Sequence, residues 1–247
     1  MDILKIKNLK KIYHTKYEET LAVEDFSLDL KKGEFVSIVG PSGCGKSTIL
    51  SILSDLMPAS DGKVEINDNM SIGYMVQDDS LLDFRTILKN CLLGLEIKKE
   101  LTDENKKYVI DLLNTYGLKD FMNSYPSNLS GGMRQRCALI RTLATKPDIL
   151  LLDEPFSALD YQTRLAVSDD VYKILKKEKK SAIMVTHDLA EAISMSDRVI
   201  VLSKRPSTIK NIYEINLTNK STPIENRKAK EFSSYYEKIW KDIDFHV

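Results

Sequence analysis

One segment, residues 40–48, constrains the possible folds of this chain more than any other. It matches the pattern G-x-x-x-x-G-K-S/T, and it lies between a short apolar strand, Glu34–Val39, and a helical pattern, Lys46–Leu56. A glycine-rich turn exposes successive N–H groups, and a helix N-terminus adds positive potential, so the segment suits a triphosphate such as ATP. We expect Lys46 to reach the β- and γ-phosphates and the Ser47 hydroxyl to hold Mg²⁺. The predicted ATP-binding residues of the loop are Gly40, Pro41, Ser42, Gly43, Cys44, Gly45, Lys46, Ser47 and Thr48.

Composition limits the alternatives. The chain has 247 residues, of which 43% are apolar and 29% charged, which predicts a single globular domain. Lys+Arg and Asp+Glu number 36 each, and this balance argues against a nucleic-acid partner. No apolar run approaches the roughly 18 residues of a spanning helix, and the first residues predict no secretory signal. Three cysteines without metal-ligand spacing predict reduced thiols in a cytosolic protein.

The remaining apolar patterns predict an α/β fold. Two extended segments occupy about residues 3–12 and 21–30, and a helical insertion without strands is expected over residues 78–129. Residues 161–180 predict another helix, and an apolar stripe near the C-terminus predicts a helix docked on its own domain. The stripe consists of Phe232, Tyr235, Tyr236, Ile239, Trp240 and Ile243. Five further strands are predicted to be covered on both faces: Lys63–Ile66, Ser71–Val76, Ile149–Leu152, Ala182–Val185 and Val199–Leu202.

Two carboxylates follow the aliphatic strand Ile149–Leu152. A buried strand that ends in an acid is the element that a phosphate-loop fold uses to hold the Mg²⁺ shell, so we assign Asp153 to the metal. Glu154 follows directly and is the candidate general base that would polarise the attacking water.

A second anion site is predicted at Ser130-Gly131-Gly132, where a small turn begins a helix. The segment Leu129–Arg136, LSGGMRQR, resembles the LSGGQ signature of the ATP-binding cassette (ABC) ATPases. Met133 replaces the usual glutamine of that signature. Methionine at this place is similar to one subgroup of importers, so we expect an active ATPase.

Other motifs of the ABC family resemble segments along nearly the whole chain. Tyr13 resembles the aromatic residue that stacks on adenine, although Tyr17 is a nearby competitor. Gln77 is similar to the Q-loop glutamine, for which the resemblance implies a place at the metal and in catalysis. Ser157–Asp160 is similar to the D-loop, with Asp160 as its acid. His187 resembles the switch histidine that bonds the γ-phosphate.

Plainer interpretations exist for three of these residues. Tyr13 could be a half-buried strand residue, and His187 could be a structural histidine. Cys44 lies beside a lysine at a helix N-terminus, where we expect a lowered thiol pKa. A redox role for Cys44 stays open beside its interpretation as a small tolerated side chain.

The resemblance implies a P-loop NTPase (RecA-like) core with an N-terminal antiparallel β subdomain and an inserted α-helical subdomain. Within a single ABC ATPase domain, 1–247, we expect the nucleotide-binding core at 1–77 and 141–215. The helical subdomain with the signature is expected at 78–140, and a C-terminal helical tail at 216–247.

The resemblance also implies partners. Two such subunits, as a homodimer or as a heterodimer with a related ATPase, would hold two ATP molecules between the phosphate loop of one chain and Ser130, Gly131 and Gly132 of the other. Two membrane-spanning permease subunits would receive the motion through the groove beside Gln77, and an extracytoplasmic solute-binding protein would act indirectly. This arrangement places the chain at the cytoplasmic face of the cell membrane, without nucleic acid.

The transported solute is the least constrained expectation. The segment Leu81–Thr86, LLDFRT, resembles the L-L-P-W-R/L-T of the nitrate/sulfonate/taurine importer group, with Asp83 and Phe84 in place of Pro-Trp. A small organic anion is therefore expected. Bicarbonate, a thiamine precursor or a riboflavin-like vitamin are alternatives, and so is a soluble cassette of iron–sulfur assembly. A chromosome-associated cassette would need long coiled coils or a second cassette, which this chain lacks.

Overall fold

The computed structural model describes residues 1–14, 16–67 and 70–243. The last four residues of the predicted C-terminal tail, 244–247, lie outside this range. The strands are β1 (Asp2–His14), β2 (Glu19–Lys31), β3 (Phe35–Val39), β4 (Asp61–Ile66), β5 (Ile72–Met75), β6 (Ile149–Asp153), β7 (Ser181–Val185), β8 (Arg198–Leu202) and β9 (Ile209–Glu214).

These strands form two sheets. The first is antiparallel with the order β2-β1-β4, and the second has the order β5-β6-β7-β3-β8-β9. Within the second sheet β5, β6, β7, β3 and β8 are parallel, and β9 pairs antiparallel with β8. The α/β class, with a phosphate-loop core and an antiparallel β subdomain, is thereby confirmed.

The helices cover the second sheet and build the insertion. Thr86, Thr102, Ser130 and Asp160 each cap a helix N-terminus through a side-chain oxygen, as such residues do in general. The helices are α1 (Lys46–Leu53), α2 (Ile87–Ile97), α3 (Asp103–Thr115), α4 (Gly131–Ala144), α5 (Tyr161–Lys177), α6 (Leu189–Met195), α7 (Pro223–Asn226) and α8 (Phe232–Asp242).

The parallel sheet positions the candidate site. Every residue of β3, β6 and β7 is buried, which is why these strands are aliphatic throughout instead of alternating. Their carboxyl ends meet at one edge of the sheet. The phosphate loop follows β3, the two carboxylates close β6, and His187 follows β7. In open α/β sheets this edge is where ligands bind.

Two strand predictions need correction. The strand at Lys63–Ile66 was expected to be covered on both faces, but β4 is largely exposed, because it is an outer strand of the antiparallel sheet and pairs only with β1. β9 was not predicted, since its sequence, IKNIYE, mixes polar and apolar residues at a sheet edge.

The C-terminal stripe is only partly docked. Ile239 and Ile243 are buried against α6 and β8, in a cluster that Phe232 and Tyr235 also join. Tyr236 and Trp240 instead stack on each other outside this cluster, with ring centroids 6.1 Å apart. The apolar face of α8 is therefore narrower than the sequence pattern indicated.

Candidate nucleotide site

The phosphate loop has the backbone that the sequence predicts. Gly45 precedes α1 with a φ of 112°, which L-residues rarely adopt, so a glycine is required there. A Cβ at Gly40 would lie 3.1 Å from both Cβ and the carbonyl oxygen of Leu202, so a side chain there would need β8 to shift by a few tenths of an ångström. These two positions explain why glycine is concentrated in this segment.

Lys46 lies inside the curve of this loop. Its Nζ donates to the carbonyl oxygens of Gly40 and Pro41 at 2.8 and 2.9 Å, and only 8% of the residue is exposed. The loop thus wraps around the ammonium group and fixes a positive charge where the phosphates of a nucleotide would lie.

An open pocket of about 1060 Å³ surrounds the loop. Gln77, Glu154 and His187 line it together with the phosphate loop, although they are far apart in the sequence. The other lining residues are Tyr13, Ala22, Val39, Gly40, Pro41, Ser42, Gly43, Gly45, Lys46, Ser47, Thr48, Lys204, Arg205 and Ile243.

Asp153 is buried beneath the pocket and bonded to the loop. The Ser47 hydroxyl donates to its Oδ1 at 3.1 Å, and the Tyr74 hydroxyl donates to its Oδ2 at 3.4 Å. Burial raises the pKa of Asp153, and the neighbouring Glu154 adds to the rise, whereas the Ser47 bond opposes it. A hydroxyl and a carboxylate at this distance are the oxygen ligands that a magnesium ion takes beside substrate phosphates and water.

Glu154 is held in an unusual backbone conformation. Its φ is 48°, in the left-handed region that non-glycine residues seldom occupy. The Gln77 amide donates to Glu154 Oε2 at 3.4 Å, and His187 Nδ1 lies 3.2 Å from the same oxygen. Residues held in sparsely populated backbone regions cluster at functional sites, and this turn aims the carboxylate at the two pocket residues.

Tyr13 lies at the pocket wall. Its hydroxyl is 3.0 Å from the Thr48 hydroxyl, and its ring packs on the core beneath the β1–β2 sheet. Tyr17, the competing candidate, is 93% exposed and does not line the pocket. The geometry favours Tyr13 over Tyr17 as the residue nearest an adenine ring, a role that stays a prediction.

The expected pKa shift of Cys44 is wrong in direction. The Sγ atom lies 3.8 Å from Lys46 Nζ, which lowers the thiol pKa, but burial is the larger influence and raises it above the ordinary value. Cys44 is 1% exposed and packs behind the loop. The sequence showed the lysine and the helix N-terminus but not the depth of burial.

The signature segment lies outside this pocket. Ser130 caps α4 by accepting the Met133 N–H at 3.3 Å, and a Cβ placed on Gly131 would meet nothing within 4 Å. Asp160 is exposed, and its hydrogen bonds from Thr163 lower its pKa. The structure therefore does not bring Ser130, Gly131, Gly132 or Asp160 to the phosphate loop of the same chain.

Two residues that the sequence analysis missed support the site. Gln135 of α4 donates to the Glu154 carbonyl and accepts the Ala158 N–H, both at 3.0 Å, so it fixes the segment after the carboxylates. Arg205, in the turn between β8 and β9, donates to the Gly43 carbonyl at 2.7 Å. A polar residue on the buried face of α4 was a readable signal for Gln135, whereas Arg205 had none.

Fold and site together define a P-loop nucleotide-binding protein. The ABC transporter family matches residues 23–157, and relatives align over nearly the whole chain. The chain belongs to the ABC transporter family as an ATP-binding subunit, and it is an ATPase.

Curated relatives and solved structures agree with this assignment. The chain is similar to the "Uncharacterized ABC transporter ATP-binding protein YtlC" of Bacillus subtilis, with 44% identity over 99% of this chain and 96% of that protein. It is also similar to the taurine import ATP-binding protein TauB of Jannaschia sp., with 36% identity over 87% and 83%. A dimeric ATP-binding cassette, solved in a post-hydrolysis state with ADP and Pi, matches with a TM-score of 0.79 and 33% identity over 86% of this chain and 99% of that one.

Within the described ranges, no helix is both long enough and apolar enough to cross a bilayer.

Proposed function

We propose that two copies of this chain, or this chain and a related ATPase, close around two ATP molecules. Each nucleotide would lie between the phosphate loop of one chain and Ser130, Gly131 and Gly132 of the other. Two observations support this: a Cβ on Gly131, at the exposed and capped start of α4, would meet no atom of the described residues outside its own helix turn within 4 Å, and a similar cassette was solved as a dimer.

In this proposal the loop binds the phosphates, and residues at the strand ends join Ser47 in binding Mg²⁺. Lys46 pairs with the β- and γ-phosphates, and backbone N–H groups of the loop, which Pro41 alone lacks, donate to their oxygens. Ser47, Asp153 and Gln77 would hold Mg²⁺, which neutralises charge on the phosphates when it is bound. The bond between Ser47 and Asp153, at 3.1 Å, supports this because it already brings two oxygen ligands together.

Glu154 and His187 are the proposed catalytic pair. Glu154 accepts a proton from the water that attacks the γ-phosphorus, the bond from this phosphorus to the bridging oxygen breaks, and ADP leaves with that oxygen. His187 donates to a γ-phosphate oxygen. In the structure His187 Nδ1 lies 3.2 Å from Glu154 Oε2, so the histidine would exchange this partner for the phosphate when ATP binds. The convergence of Gln77 and His187 on one Glu154 oxygen is the observation that carries the assignment.

Glu154→Gln tests this role directly. An amide keeps the shape of the carboxylate but cannot accept the proton, so ATP binding is expected to persist while hydrolysis falls at least about 100-fold. Size-exclusion chromatography with Mg-ATP should show a stable dimer of the variant. If the variant hydrolysed ATP at the wild-type rate, another residue would have to be the general base.

The proposed task of the ATPase is to power a membrane importer from the cytoplasmic face. The support is a turn, residues 82–86, that Asn90 fixes by donating to the Leu82 and Arg85 carbonyls at 3.1 and 3.0 Å. Phe84 lies in this turn with 78% of its surface exposed, shortly after Gln77 in the sequence. An exposed aromatic residue on a rigid turn suits a helix of a permease subunit.

A small organic anion, sulfonate-like, is the proposed solute. The relatives named for taurine import support this class, as does the LLDFRT segment. The test reconstitutes the cassette with its permease and solute-binding protein in liposomes and measures ATP hydrolysis with taurine, nitrate, bicarbonate or a thiamine precursor. Stimulation by taurine or another sulfonate is expected, and stimulation only by the vitamin precursor would overturn the anion class.

A further inference from the structure

Arg164 lies between the D-loop and the loop that carries His187. It is in the first turn of α5, and its side chain is 24% exposed. Its Nη2 donates to the Leu159 carbonyl at 3.0 Å, and its Nη1 donates to Asp188 Oδ2 at 3.2 Å. One guanidinium therefore bonds the residue before Asp160 and the residue after His187.

Several hydrogen bonds hold Asp188 in place. Asp188 Oδ1 accepts the N–H groups of Ala190 and Glu191 at 2.8 and 3.1 Å, so the other carboxylate oxygen is left for Arg164. The Thr186 hydroxyl donates to buried Glu191 at 2.8 Å and accepts the Asp188 N–H at 3.0 Å. His187 thus lies between two residues whose positions the network fixes.

The Leu159 side reaches the signature segment. A Cβ on Gly132 would lie 3.0 Å from Leu159 Cδ2 and 3.5 Å from the Ala158 carbonyl, so this glycine packs directly on the D-loop. The contacts form a continuous path from Gly132 through Leu159, Arg164 and Asp188 to the backbone of His187. No other described side chain hydrogen-bonds both Leu159 and Asp188.

We propose that Arg164 is a positioning residue that couples the signature and D-loop of a chain to its own His187. The inference rests on the proposed function, in which Gly132 and His187 of one chain serve two different ATP molecules. When a partner's nucleotide engages the signature, displacement of Leu159 passes through the guanidinium to Asp188 and sets the position of His187. Arg164 thereby makes hydrolysis at one site depend on occupation of the other.

The guanidinium geometry explains why an arginine is needed. Its Nη1 and Nη2 reach two acceptors at fixed separation, whereas a lysine has a single nitrogen on a flexible stem. Arg164→Lys keeps the charge and the aliphatic packing and loses one of the two bonds. The lysine variant therefore separates coupling from simple stabilisation of the fold.

The test measures kcat for ATP hydrolysis and the equilibrium affinity for an ATP analogue in Arg164→Ala, Arg164→Lys, Asp188→Asn and Arg164→Ala/Asp188→Asn. Asparagine at 188 still caps α6 but no longer presents a charged acceptor to Arg164. We expect kcat to fall about tenfold in each single variant and in the double variant alike, with ATP affinity within about twofold of wild type. Lys173→Ala, which removes a largely exposed lysine of the same helix from its i,i+4 pair with Asp169, is the control and should leave both quantities unchanged.

Three outcomes overturn the proposal. Wild-type kcat in Arg164→Ala would remove any role for the residue, and a roughly hundredfold loss in the double variant would show that Arg164 and Asp188 act separately. A wild-type kcat in Arg164→Lys would show that Arg164 contributes only its charge or its packing, and not the paired hydrogen bonds. His187→Ala is run in parallel: wild-type hydrolysis in that variant would contradict the proposed role of His187 itself, which distinguishes the two failures.

Discussion

The phosphate loop and the signature segment are the two proposed anion sites, each at the start of a helix, but only the loop lies among other predicted site residues of its own chain. We call the loop the complete half-site and the signature the open half-site. At the loop, Lys46 is buried, Asp153 is bonded to Ser47, and Glu154 and His187 face the same pocket. At the signature, Ser130 and Gly131 are exposed, and a Cβ on Gly131 would meet open space. This difference is the basis of our proposal that a second chain completes the site at the signature.

The largest expected effect is on ATP affinity, when the positive charge of Lys46 is removed from the complete half-site. In Lys46→Ala the loop loses the ammonium that its carbonyls hold in place, so we expect ATP affinity to fall at least about 100-fold. Equilibrium binding of a fluorescent ATP analogue measures this. Lys173→Ala serves as the surface-lysine control, and wild-type affinity in Lys46→Ala would break the assignment of the loop.

Adding a side chain at the open half-site should have a smaller effect, on ATP-driven dimerisation and not on ATP binding by the single chain. Gly131→Ala adds a methyl group with no contact within 4 Å to described residues outside its own helix turn, and alanine favours the helix by up to about 1 kcal/mol. We therefore expect unchanged or higher thermal stability and unchanged ATP binding by the single chain. In a Glu154→Gln background, ATP-driven dimerisation should weaken about tenfold, because the methyl group occupies space that the partner's nucleotide needs.

Size-exclusion chromatography across a range of ATP concentrations measures that dimerisation. Equal dimerisation with and without the methyl group would mean that the open space at Gly131 is not where a nucleotide lies.

We expect stability to depend on pH near neutrality through the region around His187 and not through the signature segment. Near His187, burial and Asp188 raise the pKa of Glu191 to about 7, against smaller opposing effects of Thr186, Arg164 and Arg227. A carboxyl with a raised pKa in the folded state stabilises the fold most below its unfolded pKa, and this contribution is lost as pH rises through about 7. Ser130, Gly131 and Gly132 carry no group that titrates in this range.

The free energy of unfolding of Glu191→Gln should therefore rise by about 2 kcal/mol relative to that of wild type as the pH increases from 5.5 to 7.5. Denaturant unfolding at several pH values measures the difference, and Gly131→Ala provides the comparison, with an offset that stays constant over this range. Parallel curves for wild type and Glu191→Gln would show that this carboxyl does not titrate in the folded chain near neutral pH.

The sequence contained most of the complete half-site. The loop is contiguous, and the carboxyl ends of parallel strands meet at one edge of a sheet, so placing Asp153, Glu154 and His187 near Lys46 required only the strand pattern. The division at residues 77, 140 and 215 and the roles of the single residues stay predictions.

What the sequence could not provide depends on packing between distant segments. The bond from Arg205 to Gly43 requires the β8–β9 turn to fold over the loop, and the bonds of Gln135 require α4 to lie against residues 154–158. The burial of Cys44 likewise follows from the sheet beneath it and not from its neighbours in the sequence.

The central claim, that the two half-sites of different chains join, can be tested by mixing two defective chains. Lys46→Ala has a dead loop and an intact signature, and Ser130→Arg has the reverse, because a bulky side chain replaces the small helix cap. Both carry Glu154→Gln to hold any repaired site closed. Each variant alone should remain monomeric with ATP, while the mixture should form a dimer that traps about one ATP, since one of its two sites has neither defect. A mixture of folded variants that forms no dimer and traps no nucleotide would contradict the account.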